Sequence, residues 1–239
     1  MHLEHLGLFW YCLFMKIISS LFQLIGSLGF LLFGMKLMSD GIQKSAGKSL
    51  HKVLGLMTSN RFFALLTGLF ITTIIQSSSA TTVMVVSFVN AGLLTLSQSV
   101  GVIFGANIGT TITAWIVSLF GFKFKIAALA IPVFGIGYIL YSIKKINKET
   151  IGEALMGFGL LFVGLDLLGK VMTFDASQVE FLQHLTGNGY ISLLAGVAAG
   201  FTITMLIHSS SASTAIILTM SYNKLLPWEF AAAMVLGSN

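Results

Sequence analysis

The segments IIQSSSATTVMV at residues 74–85 and LIHSSSASTAII at residues 206–217 place runs of hydroxyl side chains inside apolar, uncharged sequence. Shifting the chain by 132 residues aligns one run with the other. Without a gap, 13 of the 40 positions in residues 68–107 are then identical to their partners in residues 200–239. Chance similarity between apolar helices does not explain the matching polar residues. We therefore interpret the chain as two internal repeats.

The composition predicts an all-α integral membrane protein. Hydrophobic residues make up 56% of the chain and charged residues only 9%, against roughly 25% charged residues in soluble domains. Residues 62–122 and 181–223 contain no Asp, Glu, Lys or Arg, and each run exceeds the roughly 20 residues of one helical span. The net charge of +5 is dispersed among the spans, so we expect a lipid bilayer and no nucleic acid as partner.

The repeats predict the domain organisation. We expect an N-terminal extension at 1–16, a first transporter repeat at 17–143, an inter-repeat loop at 144–150 and an incomplete second repeat at 151–239. The second copy stops at Asn239, where the first continues as IGTTITAWIVSLF. We therefore expect the chain to be truncated at its C-terminus relative to a complete two-repeat protein, and not to complete a transport cycle alone.

The basic residues predict that the two repeats have inverted topology. The linker 39–61 carries four Lys or Arg residues, whereas its counterpart 173–188 carries none. Because basic loops stay on the cytoplasmic side, the two linkers should lie on opposite faces of the membrane. Lys123 and Lys125 fall on the outer side in this arrangement, which counts against it.

The serine runs predict a re-entrant helical hairpin in each repeat. The limb 62–75 has 14 residues, so as a helix it spans about 21 Å, less than the roughly 30 Å of the hydrocarbon core. Two short limbs that meet near the middle of the membrane fit better than two full spans. Paired broken segments at corresponding positions are typical of a transporter's substrate site.

The side chains at the first break suit a small oxyanion. A helix that begins at the serines presents free backbone N–H groups and a positive dipole end, and Gln76 adds an amide. No Lys or Arg lies in either hairpin, so a bound cation would have to offset the anion's charge, and neutral oxygens suit such a cation. Alternatively, the hydroxyls only hold helices together or bond to their own helix. The hydroxyl donors are Ser77, Ser78, Ser79, Thr81 and Thr82.

Three motifs resemble the type II sodium–phosphate cotransporter family, across about residues 30–239. They are QSSSATT at 76–82, GANIGTT at 105–111 and SSSAST at 209–214. The resemblance implies secondary active uptake of inorganic phosphate with sodium as the coupling ion. We also expect a multi-pass protein of the plasma membrane that needs no cofactor besides the coupling ion and that could be a homo-oligomer.

The resemblance also implies which residues bind substrate and ions. In the first half these are Gln76, Ser77, Ser78 and Ser79, with Asn107, Thr110 and Thr111 as neighbours. In the second half they are Ser209, Ser210, Ser211 and Thr214. For sodium the candidates are Gln76, Ser79 and Ser211.

His208 departs from the family pattern, which has Gln before the second serine run. Imidazole is the side chain that changes charge between pH 5 and 8, so we include His208 among the site candidates and expect it to alter pH behaviour. The alternative is that His208 packs against a helix and hydrogen-bonds a carbonyl. Lys36 and Asp166 are equivalent at a shift of 130; they could pair across the repeats, or each could lie near a helix end at the membrane surface.

Other functions remain as alternatives. A transporter or exporter of another small oxyanion would use the same donors, and a non-transporting membrane scaffold would use them only for packing. The adjacent His208 and Ser209 suggest a hydrolase. However, neighbouring residues on a helix point in different directions, there is no G-x-S-x-G, and the first copy has Gln76 in place of the histidine. We therefore expect no enzyme activity.

Overall fold

The computed structural model describes residues 2–56, 60–123, 127–143, 148–172 and 189–239. Every regular element in these ranges is helical, which confirms the predicted class. A π-helical segment, Val117–Lys123, extends the fourth helix. The α-helices are α1 (His2–Leu56), α2 (Arg61–Ile75), α3 (Ser78–Asn90), α4 (Leu96–Ile116), α5 (Ala127–Ser142), α6 (Glu149–Val171), α7 (Gly189–Ile207), α8 (Ser210–Tyr222) and α9 (Trp228–Ser238).

Among the described residues, four helical segments are long and apolar enough to cross a membrane. They are Phe14–Ser45, Leu96–Gly121, Glu149–Val171 and Gly189–Ile207. Large apolar side chains also cover much of the outer surface, with Phe22 72%, Leu206 74% and Leu236 75% exposed. An outer surface of this kind suits lipid better than water, which supports the predicted helical membrane protein.

Helix α1 is longer than the sequence pattern indicated. Hydropathy predicts a helix over residues 17–38 followed by a separate amphipathic segment, but α1 runs without a break from His2 to Leu56. No proline occurs in this range, and a change from apolar to polar sequence does not by itself end a helix. Met38 therefore lies inside the helix and not at its end.

Helices α1 and α6 form the most extensive helix pair of the described chain, and they run antiparallel. A Cβ atom added to Gly34 would meet the backbone of Leu161, and one added to Gly164 would meet the backbone of Leu31. At the shift of 130 residues, Gly34 is equivalent to Gly164 and Leu31 to Leu161. The two contacts are therefore equivalent. This is expected if a twofold axis perpendicular to both helices relates α1 to α6.

Helices α2 and α4 pack in parallel, and α7 and α9 repeat this packing. A Cβ atom on Gly68 would meet the carbonyl of Val102, and one on Gly200 would meet that of Met234, each pair being equivalent at the shift of 132 residues. The absence of a side chain at these glycines lets the backbones touch. A second equivalent pair of contacts joins Gly105 to Leu65 and Gly237 to Val197.

Helix α3 returns the chain to the level at which α2 began. The Nε of Arg61, at the start of α2, donates to the Oγ of Ser97 at the start of α4. Because α2 and α4 are parallel, the intervening α3 must run back between these levels. Helices α2 and α3 therefore form a helical hairpin.

The turn after α3 recurs after α8. Gly92 has φ 71° and Lys224 has φ 60°, and these positions are equivalent at the shift of 132. Beyond them, the Leu93 N–H donates to the Phe88 carbonyl, and the Leu225 N–H donates to the Met220 carbonyl, both at 2.9 Å. This is the pattern of an α-helix that ends in one residue with a left-handed backbone conformation. Glycine adopts it freely, whereas Lys224 adopts it at a cost of roughly 1 kcal/mol.

The linker 173–188 lies outside the described residues, as do Lys125 and most of the inter-repeat loop. The domain boundaries and the sidedness of the linkers therefore stay predictions.

Candidate functional site

The first serine run begins with a break between two helices. Helix α2 ends at Ile75, Gln76 adopts a left-handed backbone with φ 57°, and Ser77 is extended before α3 begins. The Ser77 Oγ accepts a hydrogen bond from the Ala80 N–H at 3.2 Å, so it caps the new helix. A left-handed backbone is costly for glutamine, and such strained residues cluster at functional sites.

The second break repeats this geometry. His208 has φ 58°, and Ser209 is extended, with its Oγ accepting from the Ala212 N–H at 3.2 Å. The backbone N–H of His208 donates to the Thr204 carbonyl at 2.7 Å. In the first copy, Gln76 donates to the carbonyl of Thr72 at the same distance. The duplicated sequence therefore produces a duplicated local structure.

Both breaks line one cavity of about 350 Å³. Gln76 and Ser77 contribute from the first break, and His208 and Ser209 from the second. One water molecule occupies roughly 30 Å³ of liquid, so the cavity has room for a small oxyanion, a cation and several waters.

Two helix N-termini meet this cavity. Ser77 and Ser209 are the N-terminal caps of α3 and α8, and both belong to the cavity wall. The first N–H groups of a helix have no acceptor within the helix, and the aligned peptide dipoles favour an anion there. The arrangement therefore offers two sets of donors to one small anion.

The two positions before the serine runs differ in how their side chains are held. Gln76 accepts a hydrogen bond at Oε1 from the Thr113 hydroxyl (2.7 Å) and donates from Nε2 to the Thr73 carbonyl (2.6 Å). His208 is exposed, and its Nδ1 lies 3.3 Å from the Leu206 carbonyl oxygen. The glutamine amide is thus fixed by α4, whereas the imidazole remains open to the cavity.

Helix α1 supplies two charged residues of the cavity that do not belong to the site predicted from the sequence. Lys36, Ser39 and Asp40 all line the cavity, and the Ser39 hydroxyl donates to the Ile75 carbonyl at 2.9 Å, which holds α1 against the first break. A helix that ends at Met38 would place Lys36 near the membrane surface, which is why the sequence pattern does not assign it to the site. The feature that does indicate a site is a lysine inside a long apolar span, because burying its charge costs free energy unless it faces a cavity or a partner.

Lys36 and Asp166 do not pair with each other. Asp166 forms an ion pair with Lys170, one turn along α6, at 2.6 Å. Lys36 instead lies on the cavity side of α1. The equivalence of the two residues at the shift of 130 therefore does not produce a contact between the repeats.

Several predicted hydroxyl residues bond to their own helices. Thr81 is fully buried; it donates to the Ser77 carbonyl (3.1 Å) and accepts from the Thr72 hydroxyl (2.9 Å). Thr82, Thr110 and Thr111 likewise donate to helix carbonyls. For these threonines the structural alternative, bonding to an earlier turn, describes the contacts observed.

Of the fourteen predicted residues, the structure brings Gln76, Ser77, His208 and Ser209 together. Among the sodium candidates, Gln76 lines the cavity, Ser79 is exposed and Ser211 is buried. The binding roles of the remaining residues stay predictions. Among the described residues, the cavity lining omits Ser78, Ser79, Thr81, Thr82, Asn107, Thr110, Thr111, Ser210, Ser211 and Thr214.

Comparison with known proteins identifies one matching family and several relatives. A profile of the Na+/Pi-cotransporter family matches residues 30–170. The uncharacterized protein YqeW of Bacillus subtilis is 29% identical over 213 residues, which cover 88% of this chain and 66% of YqeW. The putative inorganic phosphate export protein YjbB of Escherichia coli is 25% identical over 221 residues, 92% of this chain and 40% of YjbB.

A human relative matches a shorter segment. Sodium-dependent phosphate transport protein 2B is 37% identical over 108 residues, which cover 44% of this chain and 16% of that protein. The chain thus spans 66% of the length of YqeW and 40% of the length of YjbB. No solved structure matches it significantly.

Proposed function

Because the chain belongs to the Na+/Pi-cotransporter family, we propose that it transports inorganic phosphate across the cell membrane together with sodium ions. The observation that carries this proposal is the cavity lined by both serine breaks. Two helix N-termini and their capping serines provide donors for an oxyanion, which is rich in acceptors. The direction we propose is uptake, driven by the sodium gradient.

Inverted repeats with re-entrant hairpins are part of this proposal. Antiparallel packing of the equivalent helices α1 and α6 supports inversion, since a membrane that contains both helices would hold their twofold axis in its plane. The 15 residues of α2 extend about 22 Å, and α3 returns the chain toward its starting level. Both features support a hairpin that enters the membrane and leaves on the same side.

The position of the cavity supports alternating access. Residues from the first repeat and from the second form its walls, and secondary transporters bind substrate where two repeats meet. Movement of one repeat against the other would open the cavity to each side in turn. Sodium bound to hydroxyl, amide and carbonyl oxygens would couple this movement to the ion gradient.

Export of phosphate is the second candidate. It is favoured by YjbB, a putative phosphate export protein whose match covers 92% of this chain. An enzyme is disfavoured because, among the described residues, the His208 ring has a polar contact with the Leu206 carbonyl and no hydrogen bond to a serine hydroxyl, which activation of a serine nucleophile would need.

Transport by the full-length protein in proteoliposomes tests the proposal. We expect labelled phosphate to accumulate when sodium is high outside, and to accumulate much less when potassium replaces sodium. Unlabelled arsenate and sulfate serve as competitors that define the oxyanion. Accumulation driven only by an outward sodium gradient would favour export, and uptake that ignores sodium would refute the coupling.

A further inference from the structure

Lys36 is a charged residue inside an apolar helix segment. It lies within the candidate span Phe14–Ser45, where an ammonium group is costly unless it faces a cavity or a partner. The Lys36 side chain is exposed and belongs to the wall of the cavity that both serine breaks line. The cavity therefore provides the polar surroundings that this charge requires.

Asp40 accompanies Lys36 in the same wall. The two residues are four positions apart and therefore lie on one face of α1. Within the described part of the chain, neither side chain forms an ion pair or a hydrogen bond, although the Asp40 carboxylate interacts electrostatically with Lys44, one turn further along α1. Lys44 and Asp166, by contrast, each have an oppositely charged partner, at 2.6 Å in both cases.

Contacts on either side of this face fix its position. The Ser39 hydroxyl bonds to the Ile75 carbonyl at the end of α2. Further along α1, the Nζ of Lys44 donates to both carboxylate oxygens of Glu153 on α6, at 2.6 and 2.8 Å. Helix α1 is therefore anchored to both repeats, with Lys36 and Asp40 presented to the cavity between them.

We propose that Lys36 is the fixed cationic partner of the bound anion and Asp40 the fixed anionic partner of the accompanying cation. This assignment rests on the proposed function. The serine hydroxyls and helix N–H groups are neutral donors, so an ammonium group adds the positive charge that they lack. A carboxylate is in turn a suitable ligand for a hard cation.

The assignment changes how charge is balanced in the site. The sequence alone predicts that a bound cation offsets the anion, because neither hairpin contains Lys or Arg. With Lys36 and Asp40, the cavity wall itself contains one basic and one acidic side chain. Lys36 is then the counter-charge of the anion, and Asp40, one turn further along α1, is the counter-charge of the cation.

Equilibrium binding of labelled inorganic phosphate to the purified full-length protein tests the assignment. Sodium chloride is titrated against choline chloride at constant ionic strength. We expect Lys36→Gln to weaken phosphate binding at saturating sodium by about tenfold or more. Lys36→Arg keeps the charge and should retain binding to within about threefold, the difference reflecting the shape of the guanidinium group.

The Asp40→Asn variant separates the two roles. We expect about tenfold more sodium to be needed for half-maximal phosphate binding, while phosphate affinity at saturating sodium changes little. The matched controls are Lys16→Gln on α1 and Asp166→Asn on α6, neither of which lines the cavity. Both controls should bind like the wild type.

A second measurement needs no variant. Phosphate with sodium should protect Lys36 of the wild-type protein from an amine-reactive reagent, whereas Lys16 should react equally with and without phosphate. Mass spectrometry reads both sites in one sample.

The outcomes distinguish the assignment from the function on which it rests. Wild-type protein that binds phosphate, combined with unchanged binding by Lys36→Gln or no protection of Lys36, overturns the assignment and leaves phosphate transport standing. Wild-type protein that binds no phosphate with sodium overturns both.

Discussion

At the scale of single residues, Ser77 and Ser209 have a structural task besides any contact with a ligand. Each side chain accepts the backbone N–H three residues later, at 3.2 Å in both cases. Removing such a cap leaves a helix donor without a protein partner. The hydroxyls therefore hold the two helix N-termini in the conformation that presents their free N–H groups to the cavity.

We predict that Ser77→Ala lowers the free energy of unfolding by about 1 kcal/mol, the usual cost of losing a helix N-terminal cap. Ser87→Ala in the same helix is the control, because Ser87 is exposed and its hydroxyl donates to the Val83 carbonyl of its own helix. The control should change stability by less than about 0.5 kcal/mol. Denaturant unfolding in detergent measures both, and equal losses would contradict the capping role.

His208 is the residue at which the two breaks differ most. Its ring is open to the cavity that also holds Lys36 and Asp40. We predict that His208→Gln retains phosphate binding, because the amide of Gln76 lines the same cavity at the equivalent position of the first repeat.

Equilibrium binding of labelled phosphate to the two proteins at one pH measures the effect. Gln76 is the natural reference for this substitution, because it occupies the equivalent position in the first repeat. Loss of phosphate binding by His208→Gln would show that the site requires the imidazole.

At the scale of the helices, glycines determine how closely neighbouring helices approach each other. Gly34 of α1 lies where a Cβ atom would meet the backbone of α6. A Cβ atom on Gly29, about one and a half turns earlier, would meet no atom of the described residues within 4 Å. The two glycines have the same intrinsic helix propensity and differ in their neighbours. Alanine substitutions at the two positions therefore separate the effect of helix packing on stability from the effect of helix propensity.

We predict that Gly34→Ala destabilises the protein by about 1–3 kcal/mol, the usual cost of overpacking. Gly29→Ala should be neutral or should stabilise by up to about 1 kcal/mol, because alanine is the better helix former. Thermal unfolding of the two variants in the same detergent measures the difference. A Gly34→Ala variant as stable as Gly29→Ala would refute the close crossing of α1 and α6.

At the scale of the whole molecule, the antiparallel pair of α1 and α6 determines which helix ends share a side. If both helices cross the membrane, the C-terminal end of the span in α1 and that of α6 must lie on opposite faces. These ends are equivalent in the two repeats. Their sidedness therefore decides whether the repeats are inverted.

We predict that single cysteines introduced at Ser45 and at Lys170, in a Cys12→Ser background, react with an impermeant thiol reagent from opposite faces. Intact cells and inverted vesicles provide the two sides. Labelling of both positions from the same face would exclude the inverted arrangement.

Local sequence was sufficient for part of this architecture. Composition predicted helices suited to a membrane, and the duplicated motif predicted two equivalent breaks, both of which depend on residues close together in the chain. Serine at the break is a cap in either copy, because the acceptor and the donor are only three residues apart. The resemblance drawn from the same motifs is confirmed by the family match over residues 30–170.

The tertiary structure alone decided which side chains share the cavity. Lys36 and Asp40 reach it because close glycine contacts place α1 against α6 and the Ser39 hydroxyl ties α1 to the end of α2. Those contacts join residues far apart in sequence, so no local pattern reports them. Helix packing likewise determines which hydroxyl residues reach the cavity. Ser77 and Ser209, at the starts of α3 and α8, line it, whereas Thr81 and Thr214 within these helices are buried.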